Sequence, residues 1–474
     1  MSAQGDALER IQAVFDEQAG ERARWKKKNW YYHSEVTRFI KFLIPEGSRV
    51  LEIGSGDGDL LAELKPARGL GIDASPRFVE EARRRHPGLE FCHGFAETLS
   101  VPEKFDYVVL ANLVGFLFDV QKVFDRLHAV CLPSTRIVIH YYNFLWEPVL
   151  SLADRLGMRM RQGVQNWLSL QDLENLLHIS GFEAVTKVRK ILFPVSVPFL
   201  SGFLNRVVAN LPLVHRLALG EFVVARSLRV QGKETPSASV VVPCKNEKGN
   251  IRELVERTPE LPGGMEMIFV DGASTDGTRE EIERMKALHP EKNIRLVDQG
   301  DSTGKGAAVR LGFDNARGDV LIILDADISV APEDILKFHK VLVEGTGEFI
   351  NGTRLVYPME GQAMRFLNIL ANKFFSLAFT YLLDQRIRDT LCGTKVLYRA
   401  DYERIARNRS FFGAFDPFGD FDLLFGAAKL NMRILEVPVR YHERRYGVTK
   451  IKRFRHGLLL LGMCLVALRK LKFV

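Results

Sequence analysis

The chain lacks the features that mark secreted, disulfide-bound or membrane-spanning proteins. Its five cysteines, Cys92, Cys131, Cys244, Cys392 and Cys464, are scattered and odd in number. None stands in C-x-x-C spacing, which argues against a disulfide framework or a structural zinc site and fits a reducing compartment. The opening MSAQGDALERIQ has no apolar run behind a basic start, so no secretory signal is expected. No apolar run matches the ~20 residues needed to cross a bilayer. Gly457–Leu468 (GLLLLGMCLVAL) is too short, and Phe366–Leu383 is interrupted by Asn368, Asn372 and Lys373. No internal repeat is found. The basic stretch WKKKNWYY at 25–32 has no second basic-aromatic platform beside it, so no nucleic-acid partner is expected.

At 474 residues the chain exceeds one hydrophobic core, which predicts two or three domains. The net charge of +8 is unevenly spread. Ten bases lie between Arg440 and Val474, with Glu443 as the single acid. Such a cluster suits phosphates of a nucleotide or an anionic lipid. Because it flanks the apolar run Gly457–Leu468, a monotopic membrane contact is expected, with the protein peripheral on the cytoplasmic, inner face.

Strands and helix-length stretches alternate from Arg49 onwards: RVLEI, GLGID, EFCHG, YVVLAN, RIVIHYY. That alternation predicts an α/β unit with a parallel sheet. Two more strand-like runs, Gly181–Leu192 and Glu221–Arg226, close it. Between them lies a Pro-punctuated apolar insert, Phe193–Leu219, which reads as a lid or a membrane-facing element. Residues 227–237 (SLRVQGKETPS) read as a linker. A fresh alternation follows: SVVVP, EMIFVD, IRLVD and VLIILD. The expected domains are therefore 1–226 and 238–474.

In the first unit the strand VLEI runs into Gly54-Ser-Gly56-Asp-Gly58, a turn that lets a cofactor approach the backbone. Asp73 ends the next strand, 21 residues after Glu52, where a carboxylate can meet ribose hydroxyls. An acid before the glycines and the spacing Gly-x-Gly-x-Gly resemble the S-adenosylmethionine (SAM)-dependent methyltransferases of the seven-stranded Rossmann-like type. The resemblance covers about residues 30–226 and includes HGFAETL, FDYVVLANL and RIVIHYYN. It implies that Glu52, Gly54, Gly56, Gly58 and Asp73 line the methionine and ribose, with Ala96 and Glu97 near adenine. Phe95 stands where that family often has an aspartate. Methyl transfer needs chiefly in-line positioning, with a base only where a proton leaves. His33, His140, Tyr141 and Tyr142 are the candidates for the acceptor side.

In the second unit Asp325 and Asp327 (VLIILDADIS) follow an apolar strand, after three ordered α/β units read as carrying acids at their strand ends. Two hard carboxylates there suit Mg²⁺ or Mn²⁺ while leaving positions for a diphosphate. Gly300–Gly306 (GDSTGKG) only imitates a P-loop, lacking its four-residue spacer and following hydroxyl. The unit resembles the family 2 glycosyltransferases of GT-A fold from about Ser239 to Leu460. Within them it is most similar to the polyprenyl-phosphate hexosyltransferases, such as dolichyl-phosphate mannose and glucose synthases. The residues concerned are PCKNE, VDGASTDGT, GKGAA, DAD, DTLCGTK (389–395), FGDFDLL (418–424) and RRYGVTK (444–450). The resemblance implies that Pro243, Asn246, Glu247 and Asp271 hold the nucleotide, and Asp325 and Asp327 the nucleotide and metal. Arg444 and Lys450 would clamp phosphates of donor or acceptor. DTLCGTK leans towards the glucosyl-type relatives.

A sugar hydroxyl acceptor requires a general base, for which Asp420 and Asp422 are the candidates; an ionised lipid phosphate does not. The expected protein is a two-domain α/β enzyme, with a Rossmann-like methyltransferase fold followed by a GT-A nucleotide-sugar transferase fold. It would move a hexose, with inversion, from a nucleotide sugar to a polyprenyl phosphate, and methylate a small-molecule, sugar or lipid acceptor with SAM. The alternatives are transfer to a glycan hydroxyl that is then methyl-capped, or an inactive methyltransferase domain.

Overall fold

The computed structural model describes the chain apart from residues 1–2, 161–164, 231, 233, 303, 358–365, 412–419, 445, 447–452 and 474. It divides into two compact units, Met1–Gln231 (grouped with Lys472–Val474) and Gly232–Leu471.

The first unit opens with two helices, Ala3–Lys28 and Trp30–Leu43. Its strands are β1 (Arg49–Ile53), β2 (Arg68–Asp73), β3 (Glu90–His93), β4 (Phe105–Ala111), β5 (Cys131–Tyr142), β6 (Phe182–Lys190) and β7 (Gly220–Ser227). They form one sheet in the order β3-β2-β1-β4-β5-β7-β6. β7 is antiparallel to both β5 and β6, so the two closing strands read in the sequence swap places in the sheet. Val50, Leu51 and Ile53 are fully buried because both faces of β1 are covered, as the unbroken apolar run requires. Helix starts follow local chemistry. Ser75 accepts from the Phe78 N–H ahead of Pro76, and Ser169 with Asp172 forms a capping box.

The second unit contains β8 (Ala238–Cys244), β9 (Met265–Asp271), β10 (Ile294–Asp298), β11 (Val320–Ile323), β12 (Phe349–Thr353), β13 (Lys395–Tyr398) and β14 (Ile434–Pro438). The order is β10-β9-β8-β11-β13-β12-β14, with β13 antiparallel to its two neighbours. β8, β9 and β11 run parallel, so their C-terminal ends, Cys244, Asp271 and the segment after Ile323, share one edge. Open α/β sheets bind ligands at that edge.

Among the described residues, no helix is long and apolar enough to cross a membrane. The helices Phe366–Leu383 and Arg453–Ala467 are apolar on more than their buried sides. Phe375 and Phe379 lie in the core while Phe374 and Leu377 are exposed, as are Leu458 and Leu465 beside buried Met463.

Candidate functional sites

The first unit holds a cleft of about 920 Å³, solvent at its mouth included, over the C-terminal ends of β1, β2 and β4. Gly54, Gly56 and Asp73 line it, as do Phe95, Ala96 and Glu97. Asp73 builds the turn as well as facing the cleft. One of its oxygens accepts from the Gly56 N–H at 2.7 Å and the other from the Ser75 N–H at 2.9 Å. Burial raises its pKa, against the pull of those two amides. Gly58 serves packing instead. At φ +76°, a Cβ there would lie 2.6 Å from the Phe91 ring, so this glycine lets β3 close on the turn. Glu97 is buried and accepts from the Phe118 N–H at 3.0 Å, fixing the wall beyond Phe95.

Glu52 is not among the residues lining the cleft. It is almost fully buried one residue before β1 ends, with one carboxyl oxygen lacking a partner, and burial pushes its pKa up to about 8. The acceptor-side candidates also separate. His33 and Tyr142 face the cleft. His140 is sealed beneath it, with neither ring nitrogen hydrogen-bonded, and burial pulls it down to about 3. Tyr141, its neighbour on the strand, points to the opposite face, as alternation along a strand demands. His33 is itself pulled down to about 4, by burial and then by Arg22 and Lys26, and so is neutral near pH 7.

Two further participants carry no local signal in the sequence. Asn112 takes a left-handed conformation at the end of β4, lines the cleft and receives the Tyr32 hydroxyl at 3.3 Å. Arg22, from the first helix, lies over the Gly56 turn with its buried Nε unpartnered. Lys26 ties that helix to Asp57 at 2.9 Å and Asp59 at 2.6 Å. An unpaired guanidinium donor beside a glycine turn fits a cofactor with a carboxylate end, and Phe95 with Ala96 offers an apolar wall for a ring. SAM has both parts.

In the second unit the carboxylates after β11 are each matched by a base. Lys305 Nζ is 2.6 Å from Asp325, and an Arg444 guanidinium nitrogen is 2.6 Å from Asp327. Burial alone would raise the Asp325 pKa; Lys305, with Lys395 and Arg444, overrides it and holds the carboxyl below its usual value. Asp327 also accepts from the Ser329 N–H at 3.0 Å, closing a turn through left-handed Ile328. Arg444 is brought there by backbone pairing: Tyr441 bridges to Val330, and the His442 N–H donates to Ser329 O at 3.0 Å. Gly393 presses so closely on this pair that an added Cβ would overlap Asp325 and come within 2.5 Å of Lys305.

The nucleotide-side residues gather on the same edge. Asn246, at φ +55°, takes a hydrogen bond from the Thr275 N–H at 2.8 Å, while its own N–H donates to Ser274 at 2.9 Å. Asp271, buried at the end of β9, accepts from the Ser274 hydroxyl, so PCKNE and VDGAST form one lattice. Pro243 stands opposite Val270 in the register, one residue before β8 ends. The Glu247 carboxylate accepts from Asn250 at 2.8 Å. Tyr446 reaches Asp276 at 3.3 Å.

Other expected residues stand apart. Asp389 of DTLCGTK is fully buried in a bidentate pair with Arg354, at 2.7 and 2.8 Å, which makes this motif scaffolding for Gly393. Asp422 is held by Arg409 at 2.7 Å, on the helix Asp420–Lys429. Lys450 and the Asp420 side chain lie outside the described residues. Among the described residues, no three His, Cys, Asp or Glu side chains converge as a metal cage. Asp325 and Asp327 offer hard carboxylate oxygens of the kind that hold a divalent cation.

Comparison with known proteins divides the chain the same way. Residues 25–187 match a methyltransferase domain model, and residues 239–406 match the model for glycosyl transferase family 2. A dolichol-phosphate mannosyltransferase of Saccharomyces cerevisiae is 36% identical over 121 residues, 24% of this chain and 44% of that protein. The chain thus spans less than half the length of that relative. A polyprenol monophosphomannose synthase of Mycolicibacterium smegmatis is 28% identical over 225 residues, 46% of this chain and 82% of that one. A solved SAM-dependent methyltransferase of Thermotoga maritima, described as a possible histamine N-methyltransferase, covers 46% of this chain and 98% of its own. It is 21% identical, with a TM-score of 0.37.

Proposed function

We propose that this chain, a methyltransferase-fold domain joined to a family 2 glycosyltransferase domain of GT-A fold, transfers a hexose from a nucleotide sugar to a polyprenyl phosphate and carries a SAM-dependent methylation in the same polypeptide. The observation that carries the sugar-transfer reading is the paired quartet Asp325–Lys305 and Asp327–Arg444. Two acids and two bases at a strand edge balance each other as they stand. They can divide between a divalent cation and a diphosphate when the donor arrives, Asp325 and Asp327 taking the metal and Lys305 and Arg444 the phosphates. A bound Mg²⁺ or Mn²⁺ would stabilise charge on the departing nucleoside diphosphate. Asn246 and Asp271 shape the wall for the nucleotide, and Gly393 keeps the floor beneath Asp325 free of side chains.

The pairing of Asp422 with Arg409 favours a phosphate acceptor. An acid already held in an ion pair is a poor general base, and an ionised phosphate needs none. The names of the yeast and mycobacterial relatives support the same acceptor class. The exposed apolar sides of Phe366–Leu383 and Arg453–Ala467, beside the basic C-terminal segment, suit a peripheral site on the cytoplasmic face of a membrane. Purified chain incubated with nucleotide sugars and polyprenyl phosphate should form a glycolipid that a chelator abolishes and Asp327→Ala prevents. Absence of such a product with every common donor refutes the lipid acceptor. For the methyltransferase domain, calorimetric SAM binding is expected; no binding would mean a retained fold without turnover.

A further inference from the structure

The insert Phe193–Leu219 is folded polar side inward. Buried Ser201 donates to Val195 O at 2.7 Å and receives the Val197 N–H. Buried Asn205 takes the Phe193 N–H and donates to the Phe193 carbonyl, both at 2.8 Å. Asn143, with no exposed surface, ties down the carbonyls of Arg216 and Ala218. The large apolar side chains of the same segment face out: Phe199 is 96% exposed and Leu213 is 70% exposed. Both have positive φ, +63° and +73°, rare for bulky residues, which thrusts them from loop tips. At Phe199 the Leu200 N–H closes a tight turn onto Pro198 O at 2.7 Å.

A neighbouring element repeats the pattern. The helix Glu147–Arg155 buries none of its residues. Leu145, Val149, Leu152 and Leu156, on and flanking it, fall at the spacing of one helical face, and all are exposed. The two elements are joined by Trp146, whose Nε1 donates to Leu217 O at 2.9 Å. The aromatic lead-in joins them through Tyr31, which receives the Asn205 amide at 3.3 Å and carries exposed Trp30 beside it. In water, polar groups inside and apolar groups outside is an inverted arrangement.

We propose that the first unit docks on an anionic bilayer through this face, with Phe199 and Leu213 entering the headgroup–acyl boundary. Charge selects lipid as the occupant. From Lys190 to Gly220 the chain has no acid, and Arg206 and Arg216 stand exposed among the apolar tips. Lys28, bonded to Gly157 O at 3.2 Å, and exposed Arg155 add bases at the helix end; Asp154 there is neutralised by Arg159, leaving Glu147 as the dissenting acid. Bases ringing apolar anchors, with an aromatic at the rim, match an anionic membrane surface. This contact is independent of the sugar-transfer reading, which rests on residues of the other unit.

The test uses the full-length chain, because other segments also favour membranes and the readout must be local. Phe199→Trp, mixed with vesicles of zwitterionic and anionic phospholipid whose acyl chains are brominated, should show added fluorescence that is blue-shifted and quenched. Phe199→Asp with Leu213→Asp should weaken binding to these vesicles about tenfold or more. Both side chains are exposed, so the substitutions remove little buried contact, and unchanged SAM binding checks that the unit still folds. The proposal is overturned if the indole introduced by Phe199→Trp is unquenched while the chain still sediments with vesicles. It is equally overturned if the double substitution leaves vesicle binding intact, or if it instead dissolves a dimer seen without lipid, which would make the face a protein interface.

Discussion

Glu52→Gln should stabilise the first unit, and by an amount that grows with pH. The carboxyl is buried near the end of β1 with one oxygen unpartnered, and its pKa rises from 4.5 to about 8. When the folded value lies above the unfolded one, the unfolded chain loses its proton first as pH rises. Stability is then intact below about pH 4.5, falls through the interval up to about 8, and is level beyond it. The shift caps the cost of the ionisable group at about 5 kcal/mol at alkaline pH. Relaxation around the charge lowers that to a few kcal/mol. Glutamine keeps the shape of the protonated acid and cannot ionise, so the variant should match the parent near pH 4.5 and exceed it progressively towards pH 8. All four tryptophans, Trp25, Trp30, Trp146 and Trp167, lie in the first unit, so denaturant unfolding followed by tryptophan fluorescence isolates it. A pH-independent gain, or a variant less stable than the parent at about pH 8, refutes the buried-acid account. A large loss of SAM affinity without a gain in stability would return Glu52 to the cofactor.

Further outcomes follow from named contacts. Gly393→Ala should lower sugar transfer on the order of a hundredfold at unchanged circular dichroism, because its Cβ displaces Asp325 or Lys305; an active variant would show the floor to be pliable. Asp422→Asn should leave transfer to a phosphate acceptor within about tenfold while costing ~1–3 kcal/mol of stability through the freed Arg409; a thousandfold loss of turnover would make it the base. Arg22→Ala should weaken SAM binding roughly tenfold or more by calorimetry, as one charge-assisted hydrogen bond is lost; unchanged affinity would leave its Nε without a ligand role.

Both folds were legible because their strands are continuous apolar runs closed by short-range signals, such as the glycines after Ile53 and the acids after Ile323. Buried strands must be apolar on both faces, so VLEI and VLII announce themselves locally. Part of the first turn was legible for the same reason: Gly54, Gly56 and Asp73 lie at strand ends and line the cleft. Side-chain surroundings were not. His140 and Tyr142 differ by two positions, yet one is sealed and the other, the last residue of β5, faces the cleft.

The sequence by itself determined that there are two α/β units, which strand ends carry carboxylates, and where the backbone needs glycine, since these depend on local pattern and φ. Only the tertiary structure paired Lys305 with Asp325 across a helix and a strand, and Arg444 with Asp327 across more than a hundred residues. It also showed Glu52 buried with one carboxyl oxygen unpartnered, Asp422 held by Arg409, and the Phe193–Leu219 insert turned apolar side out. Charge pairing between distant segments is set by what the fold brings near in space, and it has no period that can be read along the chain.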